Sequence, residues 1–271
     1  MSSLRDSYKQ EGYVLLKNFL DKDLVTAIHR EGRQIFAYQI QRTLGRSVDI
    51  DDLPAFEKAM YEFFAADFTA FANTGKQVQH MVSLHRLGTD SRITDTLKEL
   101  GLDYPVIGVR PAMLFNSRYL AKRDDYWRLG AHQDWRTGQG SLDSVVVWFP
   151  LVPAGADLGA LQVLPRSHRK GLYESSSVDY IGTIPDELLQ DEWQQLEFEV
   201  GDVLFFSAFL VHRSGINSTE SIRWSVQLRY NNLLENTFIE RGYPLAYIYK
   251  PQAELITPDF PAVSQMNEIF N

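Results

Sequence analysis

Arg223-Trp224-Ser225-Val226-Gln227-Leu228-Arg229-Tyr230 alternates polar and apolar residues without a break. A strand sends successive side chains to opposite faces, so Arg223, Ser225, Gln227 and Arg229 share one face and Trp224, Val226, Leu228 and Tyr230 the other. The apolar face belongs in a core. The polar face is either open to solvent or the wall of a ligand pocket inside a barrel. An arginine and a serine two residues apart suit a bound carboxylate, because the guanidinium fork pairs with both oxygens and the hydroxyl adds a hydrogen bond. Gln227 and Arg229, further along the same face, are candidate substrate contacts.

Strand signals continue toward the N-terminus. Val203 to Phe206 follows the turn pair Gly201-Asp202, and Leu196 to Val200 alternates. Gly159 to Pro165 and the β-branched, aromatic run Val145 to Phe149 also read as strands, the latter ended by Pro150 and Pro153. Val106 to Arg110 and Ala112 to Phe115 read as a strand interrupted by Pro111. Between these runs lies Ala131-His132-Gln133-Asp134-Trp135. His132 and Asp134 fall on one face of an extended chain, and His212 brought in from a distant strand would make two histidines and one carboxylate. Such a set caps one face of an octahedral metal and leaves the opposite positions open. His-X-Asp alone is a weak motif, and the surroundings of His212 strengthen it. The sequence contains no cysteine, so any metal must be held by nitrogen and oxygen. Gln139, just beyond this stretch, is a further candidate for substrate contact. The charged run from Arg118 to Gly130 reads as a solvated loop bordering the site. Arg166 to Gln195 is long and has little periodicity, which predicts a lid that covers the metal site and shields it from water.

The first hundred residues have a different period. After a short strand at Tyr13 to Leu16, they read as helices. One runs from an Asp21 cap to about Thr43 and is broken by Gly45. A second starts near Asp51-Asp52 and carries Phe56, Met60, Phe63, Phe64, Phe68 and Phe71 on one side. Two shorter helices cover Gln77 to Leu87 and Ile93 to Leu100. His80 and His85 do not share a helical face and read as surface or packing residues. The change to strand-like periodicity at Tyr104 predicts a mainly β protein with helices (α+β), a β-sandwich or jelly roll with N-terminal helices packed on it. With no linker or repeat, one domain is expected over 1–271, helical to about residue 103 and β-structured from about 104 to 250.

A net charge of −8 gives no support to a nucleic-acid role. No stretch approaches the roughly 18 apolar residues that span a bilayer, and the N-terminus lacks a secretory apolar core. A cytoplasmic protein without membrane or nucleic-acid partner is expected.

Taken in order, four blocks resemble the phytanoyl-CoA dioxygenase family of Fe(II)/2-oxoglutarate-dependent oxygenases. They are His132-Gln133-Asp134, Gly159 to His168, Gly201 to Phe206 leading to Val211-His212-Arg213-Ser214-Gly215, and Arg223-Trp224-Ser225. Glu11 to Leu15 also resembles the family's opening. The resemblance implies a double-stranded β-helix (a cupin-like jelly roll), with His132, Asp134 and His212 as ligands of Fe(II). It implies that Arg223 binds the distal carboxylate of 2-oxoglutarate, helped by Ser225, and that Trp148 lies beside this cosubstrate. It further implies hydroxylation of a small-molecule substrate by dioxygen with decarboxylation of 2-oxoglutarate to succinate. The carboxylate of Asp134 is present, whereas related halogenases replace it with a small residue. Arg166 departs from the family's glycine after Pro165, at a turn away from the metal, and His168 is a turn residue of the family rather than a ligand. A desaturase, epimerase or cyclising oxidase of the same class is an alternative outcome. A non-enzymatic cupin-like binding protein is the competing class, and the intact triad with Arg223 argues against it.

Overall fold

The computed structural model describes residues 3–122, 127, 129–175 and 182–244. The β-rich part is two antiparallel sheets facing each other. The larger contains β1 (Tyr13–Leu16), β2 (Pro105–Asn116), β3 (Val145–Pro150), β6 (Val203–Ser207) and β8 (Arg223–Asn232), in the order β1-β6-β3-β8-β2. The smaller contains β4 (Leu161–Val163), β5 (Gln194–Gln195) and β7 (His212–Ser214), in the order β5-β4-β7, and a bridge between His132 and His212 extends it beyond β7. With that bridge, four chain segments face the larger sheet, the arrangement of a double-stranded β-helix.

Alternation sorts the side chains of the larger sheet. Val145, Val147 and Phe149 of β3, Val203 and Phe205 of β6, and Trp224, Val226, Leu228 and Tyr230 of β8 face outward into a cluster shared with the helices. Val146, Trp148, Leu204 and Phe206 face inward and meet Leu161 and Val163 of the smaller sheet. These strands are buried on both faces, which is why β3 and β6 read as unbroken apolar runs. The polar face of β8 therefore turns to the barrel interior and not to solvent.

The helices follow the signals of their ends. α1 (Leu4–Glu11) starts at a capping box of Ser3 and Asp6 and stops at Gly12, whose φ of 86° suits glycine. α2 (Lys22–Leu44) is capped by Asp21 and ended by Gly45. α3 (Leu53–Ala66) carries Pro54 in its first turn. α4 (Phe68–Val78), α5 (Val82–Gly88) and α6 (Ser91–Leu100) follow. The α2–α4 layer surrounds Trp224, whose ring lies 4.9 Å from His29 and 6.0 Å from Phe36, centroid to centroid. Among the described residues, no helix is long and apolar enough to cross a membrane.

Four expectations need correction. The phenylalanine stripe of the second helix is split between α3 and α4. Asp67, with φ −148°, ends the first, and its carboxylate accepts from the Ala70 N–H to cap the second. α1 was not expected at all. β2 is one strand through Pro111, which is tolerated because β2 is an edge strand with register irregularities on either side of Val109. The division near residue 103 is not a division of the sheet, since β1 pairs with β6 from within the helical part.

Candidate active site

Reciprocal backbone bonds, His132 N–H to His212 C=O at 3.0 Å and His212 N–H to His132 C=O at 3.1 Å, set the two imidazoles side by side. Their ring centroids are 4.2 Å apart. His132 Nδ1 lies 2.8 Å from the Gly130 carbonyl and His212 Nδ1 lies 3.0 Å from the Leu210 carbonyl. Each Nδ1 thus donates to a backbone oxygen and leaves Nε2 with its lone pair free, the tautomer a metal ligand needs. The chain then turns into α7 (Trp135–Gly138), and Asp134 at its start stands 3.8 Å from His132 Nε2 and 3.9 Å from His212 Nε2. One ligand atom from each of the three residues lies within 4.8 Å of the others, and all three residues are buried. Two imidazole nitrogens and one carboxylate around a shared centre fit a borderline divalent cation such as Fe(II).

The carboxylate is held from β8. Gln227 Nε2 donates to Asp134 Oδ2 at 2.6 Å, and Arg229 Nη2 donates to Oδ1 at 2.9 Å and to Gln227 Oε1 at 3.0 Å. Burial alone would raise the Asp134 pKa, but Arg229 first, then His212 and His132, overcome it and hold the carboxyl at about 2. Burial, with His132 adding to it, pushes His212 down to about 4.

Arg223 lies at the bottom of the site, 2% exposed. Its Nη1 donates to the Gly159 carbonyl and its Nη2 to Ser214 Oγ, and its guanidinium is 5.9 Å from the Trp148 ring centroid. Gly159 has φ +74°, and a Cβ there would lie 2.8 Å from the Asn217 nitrogen and the Gly215 carbonyl oxygen, so only glycine brings this acceptor in. Arg223 Nε and Ser225 Oγ are buried with no partner among the described residues. Unpaired buried donors are costly unless a ligand completes them. A carboxylate delivered to Arg223 and Ser225 meets that need, so these residues fit 2-oxoglutarate.

A cavity of about 450 Å³ joins the triad to Arg223. Trp148, Gln227 and Arg229 line it, as do Ala112, Leu114, Asn116, Trp127, Leu129 and Thr137. Gln139 does not. It is exposed, with φ 49°, because it closes α7 in the left-handed conformation and its carbonyl accepts from Arg241. The lid expectation also fails for the described residues. None of 166–175 or 182–195 lines this cavity. Instead Tyr173, Ile184, Leu189 and Trp193 cover Ala131, Leu164 and Val211, which point away from the metal side because they alternate with His132 and His212. Residues 176–181 of the expected lid lie outside the described residues, as do Arg123 to Tyr126 and Arg128 of the charged loop.

Sequence reasoning gave no role to Gln133, which is 3% exposed between the two expected ligands. Its amide donates to the Gly171 and Phe209 carbonyls and accepts from the Tyr173 N–H, tying the His132-Asp134 segment to the outer connection. A polar residue in an otherwise apolar outward face was the available signal. Asn116 was missed as well. It pairs in register with Arg223, and its Oδ1 is buried without a partner among the described residues. His168 sits far from the triad, with Nε2 3.2 Å from the Lys9 carbonyl at the end of α1.

Residues 8–225 match the model of a family described as Phytanoyl-CoA dioxygenase (PhyH). A methylphosphonate hydroxylase of Gimesia maris is 25% identical over 243 residues, covering 88% of this chain and 83% of that protein. A 1-deoxypentalenic acid 11-beta-hydroxylase of Streptomyces exfoliatus is 26% identical over 220 residues, 76% of this chain and 71% of that one. Among solved structures, the epimerase SnoN in complex with Fe3+, alpha ketoglutarate and nogalamycin RO is similar in fold. Its TM-score is 0.58 at 20% identity, covering 84% of this chain and 82% of that one. EctD from S. alaskensis with bound Fe has a TM-score of 0.56 at 17% identity, covering 91% of this chain and 80% of that one.

Proposed function

The chain belongs to the phytanoyl-CoA dioxygenase family, and from that premise we propose that this Fe(II)/2-oxoglutarate-dependent oxygenase hydroxylates a small molecule at the His132, Asp134 and His212 centre. The observation that carries the proposal is the buried triad with both Nε2 atoms free and the Asp134 carboxylate in place. A carboxylate in that position occupies a site that would otherwise be open to a second anion, which favours hydroxylation over halogenation. Arg223 and Ser225 receive the distal carboxylate of 2-oxoglutarate, and Trp148 packs beside it.

The bound iron with its cosubstrate supplies activation of dioxygen. One oxygen atom enters a substrate C–H bond as hydroxyl, the other enters succinate, and carbon dioxide leaves. The chain's own part is positional. The carbonyls of Gly130 and Leu210 fix the two imidazole rings. Gln227 and Arg229 fix the carboxylate, and the apolar walls from β2 and β3 exclude water. The names of the two curated relatives, both hydroxylases, support the same outcome.

Alanine at His132, Asp134 or His212 tests the assignment. Each change should weaken Fe(II) binding by more than about a hundredfold, beyond the 10–100-fold of an outer hydrogen-bonding partner, and stop conversion of 2-oxoglutarate to succinate. Near-normal iron affinity in any one of the three, read by calorimetry under anaerobic conditions, would remove that residue from the centre.

A further inference from the structure

The charge of the cavity has a sign that the cosubstrates do not cancel. Five of its lining residues are titratable or charged: His132, Asp134, His212, Arg223 and Arg229. Imidazoles that ligate a metal contribute no charge. Asp134 neutralises one arginine, which leaves one positive charge. Loading with Fe(II) and the 2-oxoglutarate dianion adds none, since their charges are equal and opposite. Arg223 is fully buried behind Ser214 and Gly159 and is matched to the cosubstrate's distal carboxylate. Arg229 shares Asp134 with the metal once the centre is loaded, so the surplus falls on Arg229.

Arg229 is placed to use it. Its side chain is 29% exposed while the carboxylate it contacts is 3% exposed, so it stands between the metal side and the open part of the cavity. Only its Nη2 engages Asp134 and Gln227, and its Nε is buried with no partner among the described residues. The guanidinium N–H groups outside these two bonds can donate to an oxyanion, and a charge-assisted bond of that kind is stronger than one to a neutral acceptor. Beside it in the same sheet, Ala112 and Leu114 of β2, in register with Gln227 and Ser225, supply an apolar stretch of the cavity wall.

We propose that the substrate is a small organic anion, a carboxylate or phosphonate with a short apolar part, and that Arg229 binds its charged end so that the carbon next to it faces the triad. This rests on the hydroxylase reading above and adds the substrate class to it.

The test is calorimetry on the full chain loaded with Fe(II) and 2-oxoglutarate without oxygen, titrated with butyrate, methylphosphonate and the neutral probe butyramide. At least one anion should bind at least tenfold more tightly than butyramide, and whichever of the two does so identifies the headgroup. Raising the salt concentration should weaken that anion and leave butyramide unchanged, a comparison that needs no variant. Arg229→Gln should erase the preference and Arg229→Lys should keep part of it, each compared after its own iron and cosubstrate loading has been measured. Equal affinity for butyrate, methylphosphonate and butyramide, no binding of either anion, salt-independent anion binding, or an unchanged preference in Arg229→Gln would overturn the proposal. Failure of the unaltered chain to bind iron and 2-oxoglutarate at all would instead overturn the hydroxylase reading, so the two failures are distinct.

Discussion

Arg223 and Gln227 stand on one face of one strand but have separable duties. Among the described residues Arg223 has no carboxylate partner, and burial lowers its pKa to about 10, still well above neutrality. Removing it should cost the charge-assisted contact to 2-oxoglutarate, typically about 1.5–3 kcal/mol, and little iron affinity. Arg223→Leu is thus expected to raise the 2-oxoglutarate dissociation constant by about one to two orders of magnitude, read by calorimetry with iron present. A larger loss of iron than of cosubstrate would place Arg223 elsewhere. Gln227→Leu should do the reverse. It leaves Asp134 Oδ2 without its 2.6 Å donor, so iron affinity should fall about 10–100-fold while 2-oxoglutarate affinity, measured at saturating metal, changes less. The alternation of β8 made the shared face legible. The division of labour was not, because a strand pattern states which residues are neighbours and says nothing of how far each side chain reaches. Gln227 and Arg229, expected to meet substrate, both meet Asp134 first.

At the scale of elements, the contact of α2 with β8 contributes to the response to acid. His29 of α2 packs on Trp224, is 5% exposed, and has an Nε2 with no partner among the described residues. Burial, reinforced by the Arg33 charge, lowers its pKa from 6.5 to about 3. The folded state therefore resists a proton that the unfolded chain accepts. The contribution of neutral His29 is complete above pH 6.5 and is lost as pH falls toward 3, at a slope of up to about 1.4 kcal/mol per pH unit. Urea unfolding of the wild type and His29→Leu at several pH values should show a stability difference that shifts in favour of the variant as pH drops through this window. A pH-independent difference would mean that His29 is hydrated or paired. The elements themselves were unequally legible. The Asp21 to Gly45 helix was readable because cap, apolar period and glycine stop agree. The α3–α4 break was hidden because Phe64 and Phe68 keep helical spacing across it and their rings still meet at 5.5 Å. The signal that outweighed the stripe was the capping residue Asp67. α1 had a capping box and a glycine stop but only one buried residue, Tyr8, and so no apolar period to reveal it.

The whole molecule is organised around the larger sheet, which is core on both faces. Its outer face and the helices form one cluster, in which Phe36, Phe56 and Phe63 meet Trp224, Val226 and Leu228, and Tyr230 Oη donates to the Gly88 carbonyl at 2.5 Å. β1 enters the sheet between α1 and α2, so the helical part cannot leave without opening a sheet edge. A β-part stripped of its helices would expose the apolar faces of β3, β6 and β8 together, which the hydrophobic effect opposes strongly. We therefore propose that helices and barrel unfold as one cooperative unit. The sequence provides its own reporters. All five tryptophans follow residue 103, so tryptophan fluorescence follows the barrel, while helical circular dichroism follows mainly the N-terminal helices. The two urea transitions should coincide. Phe56→Ala, which removes a fully buried ring of α3 from the shared cluster, should cost about 3–5 kcal/mol and move both midpoints together. A shift of the circular dichroism transition alone, with fluorescence unchanged, would show that the helices fold as a separate body and that the barrel holds Arg223 and the triad without them.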